Sequence, residues 1–211
     1  MNKTSLIRHF LADVRFYHQM TRPQSAAPGA LALLGTALSN RGLWTLTFHR
    51  IAFYSTFNRN LRNPLWWIAR GLETAGLYLN AVINKSEVYG DCDFSGTVYL
   101  SNRGYVICGA LTVGPGTIIH DHITFGFAVA NGARGRPTFG ENVWVGPNCI
   151  IAGPLTIGAG ATVLPGTYLT YSVPAGAVVK GNPARVIREN FDNSALRASL
   201  DIVYELPEVT A

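Results

Sequence analysis

A six-residue repeat fills the second half of the chain and constrains the fold more than any other feature. From Val88 onwards a bulky apolar residue recurs every six positions, a small or turn-forming residue follows it, and a small residue stands fifth. Repeats of this length indicate a β-helix, in which each row forms one side of a triangular coil and stacked rows supply the core. We therefore predict a mainly β fold, a left-handed parallel β-helix of roughly five coils. After one break, the leading positions are Phe139, Val145, Ile151, Ile157, Val163 and Leu169.

The residues before the repeat have a helical period instead. Leu6, Phe10, Val14 and Tyr17 follow one another at spacings of four, four and three, which places them on one helix face. Pro64 is typical of the first position of a later helix. We predict helices before residue 22 and over residues 29–39, 43–57 and 64–83. The predicted domains are an α-helical domain over 1–86, a β-helix over 87–190 and a C-terminal helix with a tail over 191–211.

The predicted helix over residues 64–83 presents much apolar surface, including Trp66, Trp67 and Leu77. Packing against the other helices is the favoured explanation. A contact with a membrane surface or with another subunit is the alternative. The tract is a poor transmembrane span, because Arg70 and Glu73 interrupt it.

Charge and cysteine content limit the class of protein. The net charge is +5 and the pI is near 9.3, which suits an anionic partner, although mild basicity without function is an equal alternative. The basic residues are scattered without an aromatic and basic stacking surface, so no nucleic-acid partner is expected. The three cysteines form no CxxC pair, so no metal site or disulfide framework is expected. The repeat register puts Cys92 and Cys149 at small inward positions, which predicts buried free thiols and a cytoplasmic location. The first twenty residues lack the apolar core of a signal peptide.

The row Ile119–Thr124 holds the most chemically suggestive residues of the repeat. It reads IHDHIT and contains His120, Asp121 and His122. Residues 128–138 then break the six-residue period with polar and glycine residues, which predicts a loop ejected from the coil. Ejected loops on a rigid scaffold often carry functional sites.

Several motifs resemble those of a known family. The rows end in KGNPARVI at residues 180–187, which is similar to the end of bacterial hexapeptide-repeat acyltransferases. Residues 136–163 resemble sugar O-acetyltransferases of that group. In the N-terminal half, Asp13-Val14-Arg15 and the segment WTLTFHRI at residues 44–51 resemble serine O-acetyltransferases. The resemblance implies acetyl-CoA as donor, a hydroxyl acceptor, a homotrimer with active sites between neighbouring β-helices, and a His general base. It also allows a dimer of trimers formed through the N-terminal helices.

Two positions depart from the serine acetyltransferase pattern. The resemblance places one catalytic His where this chain has Asn102 and another where it has Arg136. Neither residue accepts a proton at neutral pH. Serine acetylation by the usual mechanism is therefore disfavoured.

The base is instead expected in the row Ile119–Thr124. His122 or His120 is the first hypothesis, with Asp121 orienting one imidazole. Because neighbours on an extended strand alternate faces, one carboxylate cannot easily serve both rings. The alternatives are that both histidines are exposed and structural, that Asp121 is the base, or that the row binds a metal. His49, in the helical region, is assigned to packing.

The remaining expected contacts concern the two substrates. The phosphates of coenzyme A suit charge-assisted contacts with the basic residues after the last coil, and small corners suit the pantetheine arm. The predicted cofactor-binding residues are Gly146, Thr170, Tyr171, Lys180, Arg185 and Arg188. The predicted acceptor-binding residues are Asn102, Arg134 and Arg136, of which the arginines suit an anionic acceptor.

Three functions are compatible with these features. The favoured one is an acetyl-CoA-dependent O-acetyltransferase for a hydroxyl of a sugar, nucleotide sugar or glycan, as in polysaccharide biosynthesis. The first alternative is a serine O-acetyltransferase of cysteine biosynthesis. The second is a non-catalytic scaffold that has lost its base. Membrane-surface contact is allowed but not predicted.

Overall fold

A computed structural model describes residues 3–22, 28–57, 64–130, 133–200 and 202. The N-terminal half is helical, as the sequence predicts. A π-helical turn over Asn80–Asn84 continues the fourth helix. The helices are α1 (Lys3–Thr21), α2 (Ala30–Ser39), α3 (Arg41–Phe57), α4 (Pro64–Leu79) and, near the C-terminus, α5 (Ser194–Ser199).

The second half forms a parallel β-helix of five coils, which confirms the predicted fold class. Three parallel sheets make its three sides. Sheet 1 contains β1 (Glu87–Val88), β4 (Val106–Cys108), β7 (Ile123–Gly126), β12 (Ile150–Ala152) and β15 (Tyr168–Leu169). Sheet 2 contains β2 (Asp93–Phe94), β5 (Thr112–Val113), β10 (Thr138–Phe139) and β13 (Thr156–Ile157). Sheet 3 contains β3 (Tyr99–Leu100), β6 (Ile118–Ile119), β11 (Trp144–Val145), β14 (Thr162–Val163), β16 (Val178–Lys180) and the antiparallel β17 (Arg185–Arg188).

The predicted leading positions from Phe139 to Leu169 are correct. The last row, which the pattern begins at Ala175, is shifted, because Val179 pairs with Val163 and Ala175 is exposed. The second coil is shifted too. There the sequence pattern puts Ile107 at the leading, inward position. The structure pairs Cys108 with Val88 on one side and with Phe125 on the other, so Cys108 points inward and Ile107 is exposed. The corner before this strand takes up one residue more than the pattern allows, with left-handed backbone at Gly104 and Tyr105. All three cysteines are buried and free, as predicted for Cys92 and Cys149 but not for Cys108.

The interruption of the repeat is an antiparallel hairpin that belongs to none of the three sheets. Its strands are β8 (Ala128–Ala130) and β9 (Ala133–Gly135). The coil resumes with β10, whose residues pair with those of β5 in the coil before it. The hairpin therefore leaves the stack without shifting its register.

Buried polar contacts fix the helical region to the first coil. Arg50 on α3 makes two hydrogen bonds to Asp13 on α1 and donates to the carbonyl oxygens of Phe94 and Gly96. The hydroxyl of Tyr17 bonds both the N–H and the carbonyl of Leu100. The two segments that carry the N-terminal resemblance thus form the joint between helices and β-helix.

The apolar surface of α4 does not pack against the other helices, although the sequence analysis favoured such packing. Trp67 is 59% exposed and Tyr78 is 71% exposed, and Ile68, Leu72 and Val82 also face outward. The other helices cover mainly polar and small residues of α4 instead. Within the described residues, no helix is both long and apolar enough to cross a bilayer.

The C-terminal residues fold back against the corners of the middle coils. The Asn193 side chain donates to the carbonyl oxygens of Asn142 and Gly160, and Arg197 donates to the side chain of Asn142. This contact positions α5, which matches the predicted C-terminal helix. The predicted tail lies almost wholly outside the described residues.

Candidate active site

The row Ile119–Thr124 turns a corner of the β-helix between β6 and β7. Ile119 and Ile123 point into the core and are buried. Between them, His122 adopts a left-handed backbone with φ of 56°. This conformation ends the alternation of an extended strand, so the side chains of adjacent residues can meet.

Asp121 and His122 form a carboxylate–imidazole pair at this corner. Nδ1 of His122 lies 3.1 Å from Oδ2 of Asp121. The Asp121 side chain is 9% exposed, whereas that of His122 is 50% exposed. The hydroxyl of Ser101 lies 3.5 Å from the other carboxylate oxygen. If Nδ1–H donates to Asp121, the Nε2 lone pair of His122 is left to accept a proton from a bound substrate.

The ring of His122 is held from one side by Tyr105. The two rings stack with centroids 4.5 Å apart and an interplanar angle of 11°. The ammonium group of Lys85 lies 5.2 Å from the centroid of the Tyr105 ring. Stacking and the Asp121 bond together fix the orientation of an imidazole that is otherwise half open to solvent. The sequence pattern did not identify Tyr105 or Lys85.

His120 occupies a different environment from its neighbour. It is buried, and its ring meets the ring of Trp144 edge-on with centroids 5.0 Å apart. Burial lowers the pKa of His120 to about 4. At neutral pH the ring is therefore uncharged, and a base this weak removes a hydroxyl proton poorly. One carboxylate serves one ring, as expected, and that ring belongs to His122.

A cavity of about 300 Å³ lies beside Asp121. Three polar side chains from the corner after β3 contribute to it, together with His120. Leu200 and Ile202, from the segment after α5, form part of its wall. The full lining is Tyr99, Ser101, Asn102, Arg103, His120, Asp121, Leu200 and Ile202. The contribution of the C-terminal segment was not foreseen, because no sequence pattern links residue 200 to residue 100.

Two of the three predicted acceptor-binding residues, Asn102 and Arg136, have structural partners. Asn102 lines the cavity, but its amide donates to Asn40 at 2.7 Å and its oxygen accepts from the N–H of Gly42 at 3.3 Å. It therefore ties the first coil to the start of α3. Arg136 makes a two-pronged ion pair with Asp91 at 2.8 and 2.9 Å, which neutralises its charge. Arg134 is exposed on β9.

The predicted cofactor-binding residues do not all lie on an open surface. Gly146 is buried, its N–H donates to Val163, and a β-carbon there would collide with Pro165 of the next coil. This glycine permits close stacking of the coils rather than lining a groove in a single chain. Thr170 is exposed, and Tyr171 packs partly against the core.

The basic residues of the last coil are brought together. Lys180 and Arg185 are paired positions on the antiparallel strands β16 and β17, and Arg188 pairs with Val178. The Arg188 guanidinium lies 5.6 Å from the Phe191 ring centroid. The end of the β-helix thus carries the three basic residues that the sequence analysis assigned to the cofactor, and their role stays a prediction. Among the described residues, no three His, Cys, Asp or Glu side chains converge as metal ligands would.

Comparison with known proteins agrees with this architecture. The family described as bacterial transferase hexapeptide (six repeats) matches residues 136–170. The structure of Neisseria gonorrhoeae serine acetyltransferase aligns with a TM-score of 0.72 at 18% identity, over 96% of this chain and 72% of that one. A serine acetyltransferase in complex with CoA aligns with a TM-score of 0.64 at 18% identity, over 88% of this chain and 71% of that one. Residues 136–170 thus match a hexapeptide-repeat family, and the chain shares the fold of these serine acetyltransferases.

The sequence similarity extends through the helical region. Serine acetyltransferase 2 of Arabidopsis thaliana is 29% identical over 178 residues, which is 81% of this chain and 50% of that protein. The chain thus spans about half the length of this curated relative. The similarity includes both the helices and the coils, so it exceeds what the repeat alone would produce.

Proposed function

We propose that this hexapeptide-repeat protein is an acetyl-CoA-dependent O-acetyltransferase in which His122 is the general base. The observation that carries the proposal is the Asp121–His122 pair, set at a solvent-facing corner of a fold that the serine acetyltransferases share. A buried carboxylate and an open imidazole form the acid–base arrangement that activates a hydroxyl.

The proposed reaction is one acyl transfer. Nε2 of His122 accepts the proton of the acceptor hydroxyl as its oxygen attacks the thioester carbonyl. The resulting tetrahedral intermediate expels the CoA thiolate, and the imidazolium of His122 returns the proton to the sulfur. Asp121 stabilises the imidazolium while it exists. The new oxygen–acetyl bond replaces the carbon–sulfur bond, so no metal or redox partner is needed for the balance.

The donor fits the cationic end of the β-helix. Lys180, Arg185 and Arg188 offer charge-assisted contacts to the phosphates of coenzyme A. We expect Lys180→Ala with Arg185→Ala to raise the Kd for acetyl-CoA at least about tenfold, since each bond to a charged group is worth about 1.5–3 kcal/mol. The matched control is Arg134→Ala, an exposed arginine on the hairpin, which should leave the Kd unchanged.

We propose that the acceptor is the hydroxyl of a small molecule. Serine is the first candidate to test. Serine acetyltransferases match this chain over its helices as well as its coils, so the comparisons favour serine over the sugar acceptor that the sequence analysis favoured. A sugar hydroxyl remains the second hypothesis. Its support is that Asn102 and Arg136, at the two positions of the expected histidines, are held in structural contacts.

A homotrimer is also part of the proposal. The outward side of sheet 1 carries the paired positions Ile107, Thr124, Ile150 and Tyr168, and its three bulky members are exposed. Such an apolar row suits packing against a neighbouring β-helix. Sedimentation analysis should find a trimer, and Ile150→Glu should dissociate it. A monomeric wild type would contradict this part.

Release of the CoA thiol tests the activity. Purified protein with acetyl-CoA is assayed against L-serine, a panel of sugars and nucleotide sugars, and no acceptor. Acceptor-dependent release that His122→Ala abolishes would support the proposal, and the productive acceptor decides between the two hypotheses. No release with any acceptor, together with no binding of acetyl-CoA by calorimetry, would favour the non-catalytic scaffold.

A further inference from the structure

The helix over residues 64–84 buries a polar face and exposes an apolar one. The positions that face the rest of the protein hold polar or small residues: Glu73, Gly76, Asn80 and Asn84 are all buried. Most of the large side chains that face outward are apolar. They are Trp67, Ile68, Leu72, Leu77, Tyr78, Leu79, Val82 and Ile83, each at least 38% exposed. A helix at a water-facing surface normally has the opposite arrangement.

Hydrogen bonds fix this orientation. The Asn80 amide donates to the Ser86 carbonyl, and its oxygen accepts from the Thr45 hydroxyl at 2.7 Å. The Ser55 hydroxyl donates to the Glu73 carboxylate, which also accepts from Arg70. Turning the apolar face inward would leave these buried groups without partners, at a cost for each one. The outward apolar face is therefore a built feature of the domain.

The neighbouring helices extend the same surface. Leu31, Leu34 and Leu38 on α2 are more than half exposed, and so is Ile7 on α1. An apolar cavity of about 480 Å³ lies between the helices, and residues of α2 and α4, including Leu38 and Leu79, contribute to its lining. We call the outward apolar residues of α1, α2 and α4, with the π-helical turn, the apolar face.

The charge of the chain is divided unequally between its halves. Residues 1–86 contain ten Lys and Arg against two Asp and Glu, a net charge of +8. Residues 87–211 contain seven against ten, a net charge of −3, and together these give the chain's +5. Both acids of the helical half are paired, Asp13 with Arg50 and Glu73 with Arg70. The positive charge therefore lies on the half that carries the apolar face.

We propose that the apolar face binds the surface of a bilayer that contains anionic phospholipid. Apolar side chains bordered by Arg and Lys are the arrangement of helices that lie in the membrane interface. Exposed Trp67 and Tyr78 suit the headgroup region, where aromatic side chains collect. Arg8, Arg41 and Lys85 are exposed. Arg8 directly follows the exposed Ile7, Lys85 comes two residues after the exposed Ile83, and Arg41 comes three residues after the exposed Leu38. A second copy of the face is the weaker fit, because two +8 domains repel each other whereas anionic lipid attracts them.

Vesicle sedimentation tests this proposal. The protein is mixed at low salt with phosphatidylcholine vesicles and with vesicles containing about 30% phosphatidylglycerol. The test variant is Ile68→Ser with Leu72→Ser, and the matched control is Val186→Ser with Ile187→Ser, two exposed apolar residues of β17. Circular dichroism checks that each variant is folded. The chain has four tryptophans, so the difference in fluorescence between the wild type and Trp67→Phe reports the transfer of Trp67 out of water.

We expect the protein to sediment with the anionic vesicles and to bind phosphatidylcholine much more weakly. Fluorescence should shift to shorter wavelength, and binding should fall in about 0.5 M NaCl, where charges are screened. The test variant should bind at least about tenfold more weakly, since two large side chains no longer enter the apolar layer. The control variant should bind like the wild type.

Two outcomes would overturn the proposal. One is the absence of binding to anionic vesicles at low salt. The other is a larger oligomer that the test variant dissociates while vesicles do not bind, which would assign the face to a second copy. Both readouts are independent of acetyl transfer, so a failure here is distinguishable from a failure of the proposed function.

Discussion

Replacing His122 with Asn tests which of the two histidines in the row Ile119–Thr124 is the general base. The asparagine keeps a polar side chain at the corner but cannot take a proton, so the proposed base is lost. A positioned general base contributes about 10²–10⁴ in rate, which corresponds to about 2.7–5.4 kcal/mol of transition-state stabilisation. We therefore expect kcat/KM for the acceptor to fall by that factor. The Kd for acetyl-CoA should not change, because His122 is distant in the fold from the basic residues of the last coil.

The cost in stability should be small. The His122 side chain is half exposed, and its main losses are the stack on Tyr105 and the bond to Asp121. An aromatic pair is worth about 0.5–1.5 kcal/mol, so the variant should remain folded under assay conditions. Asp121→Asn should give a smaller activity loss, about tenfold to thirtyfold, because it keeps an acceptor oxygen but removes the charge that strengthens the bond.

The assay is thiol release under steady-state conditions, with His120→Asn as the matched control. That change removes a buried ring that packs on Trp144, so it should lower stability while leaving kcat within about tenfold of the wild type. If His122→Asn retained more than a tenth of the activity, or if His120→Asn lost as much as His122→Asn, the assignment of the base would be wrong.

Three further predictions concern stability. Burial lowers the pKa of His120 to about 4, against 6.5 in the unfolded chain, so between these pH values the unfolded chain binds one more proton. The free energy of unfolding should therefore fall by about 1.4 kcal/mol per pH unit as the pH falls from 6.5 to 4. Urea titrations of His120→Phe should show a correspondingly shallower pH dependence of stability, and an unchanged slope would refute the assignment. Asp13→Ala leaves the buried Arg50 charge unpaired and should cost about 3–5 kcal/mol in the same titrations, whereas a cost below about 1 kcal/mol would mean that water reaches the pair. Gly42→Ala places a β-carbon against a carbonyl of the first coil and should cost about 3 kcal/mol, while Gly35→Ala, with open space around it, should stabilise its helix by about 0.5–1 kcal/mol; equal effects would refute the close approach.

The β-helix could be predicted because each coil repeats the same packing problem. A wrong register in one row would expose a core residue, so the pattern itself specifies the inward positions. The error at Ile107 and Cys108 arose at the corner after Asn102, where two left-handed residues absorb an extra position. Corner length is set by local backbone conformation, which the apolar pattern does not encode.

The sequence pointed to the row Ile119–Thr124 as the candidate site, but it did not give the geometry of that row. The row Ile119–Thr124 holds the Asp121–His122 pair, and the sequence left open which of the two histidines Asp121 would orient. The left-handed conformation of His122 makes that contact possible. The wall formed by Leu200 and Ile202 depends on long-range packing of the C-terminal segment. The packing of α4 was predicted wrongly, because apolar periodicity identifies a helix face but does not say whether protein, water or lipid covers it.

A structure with CoA and an acceptor bound is the most direct test of the central claim. The account predicts that the CoA thiol and the acceptor hydroxyl lie beside His122, with the hydroxyl oxygen within about 2.6–3.2 Å of Nε2. The CoA phosphates should contact the basic residues of β16 and β17. A thiol placed against His120 inside the neighbouring cavity, or distant from both histidines, would contradict it.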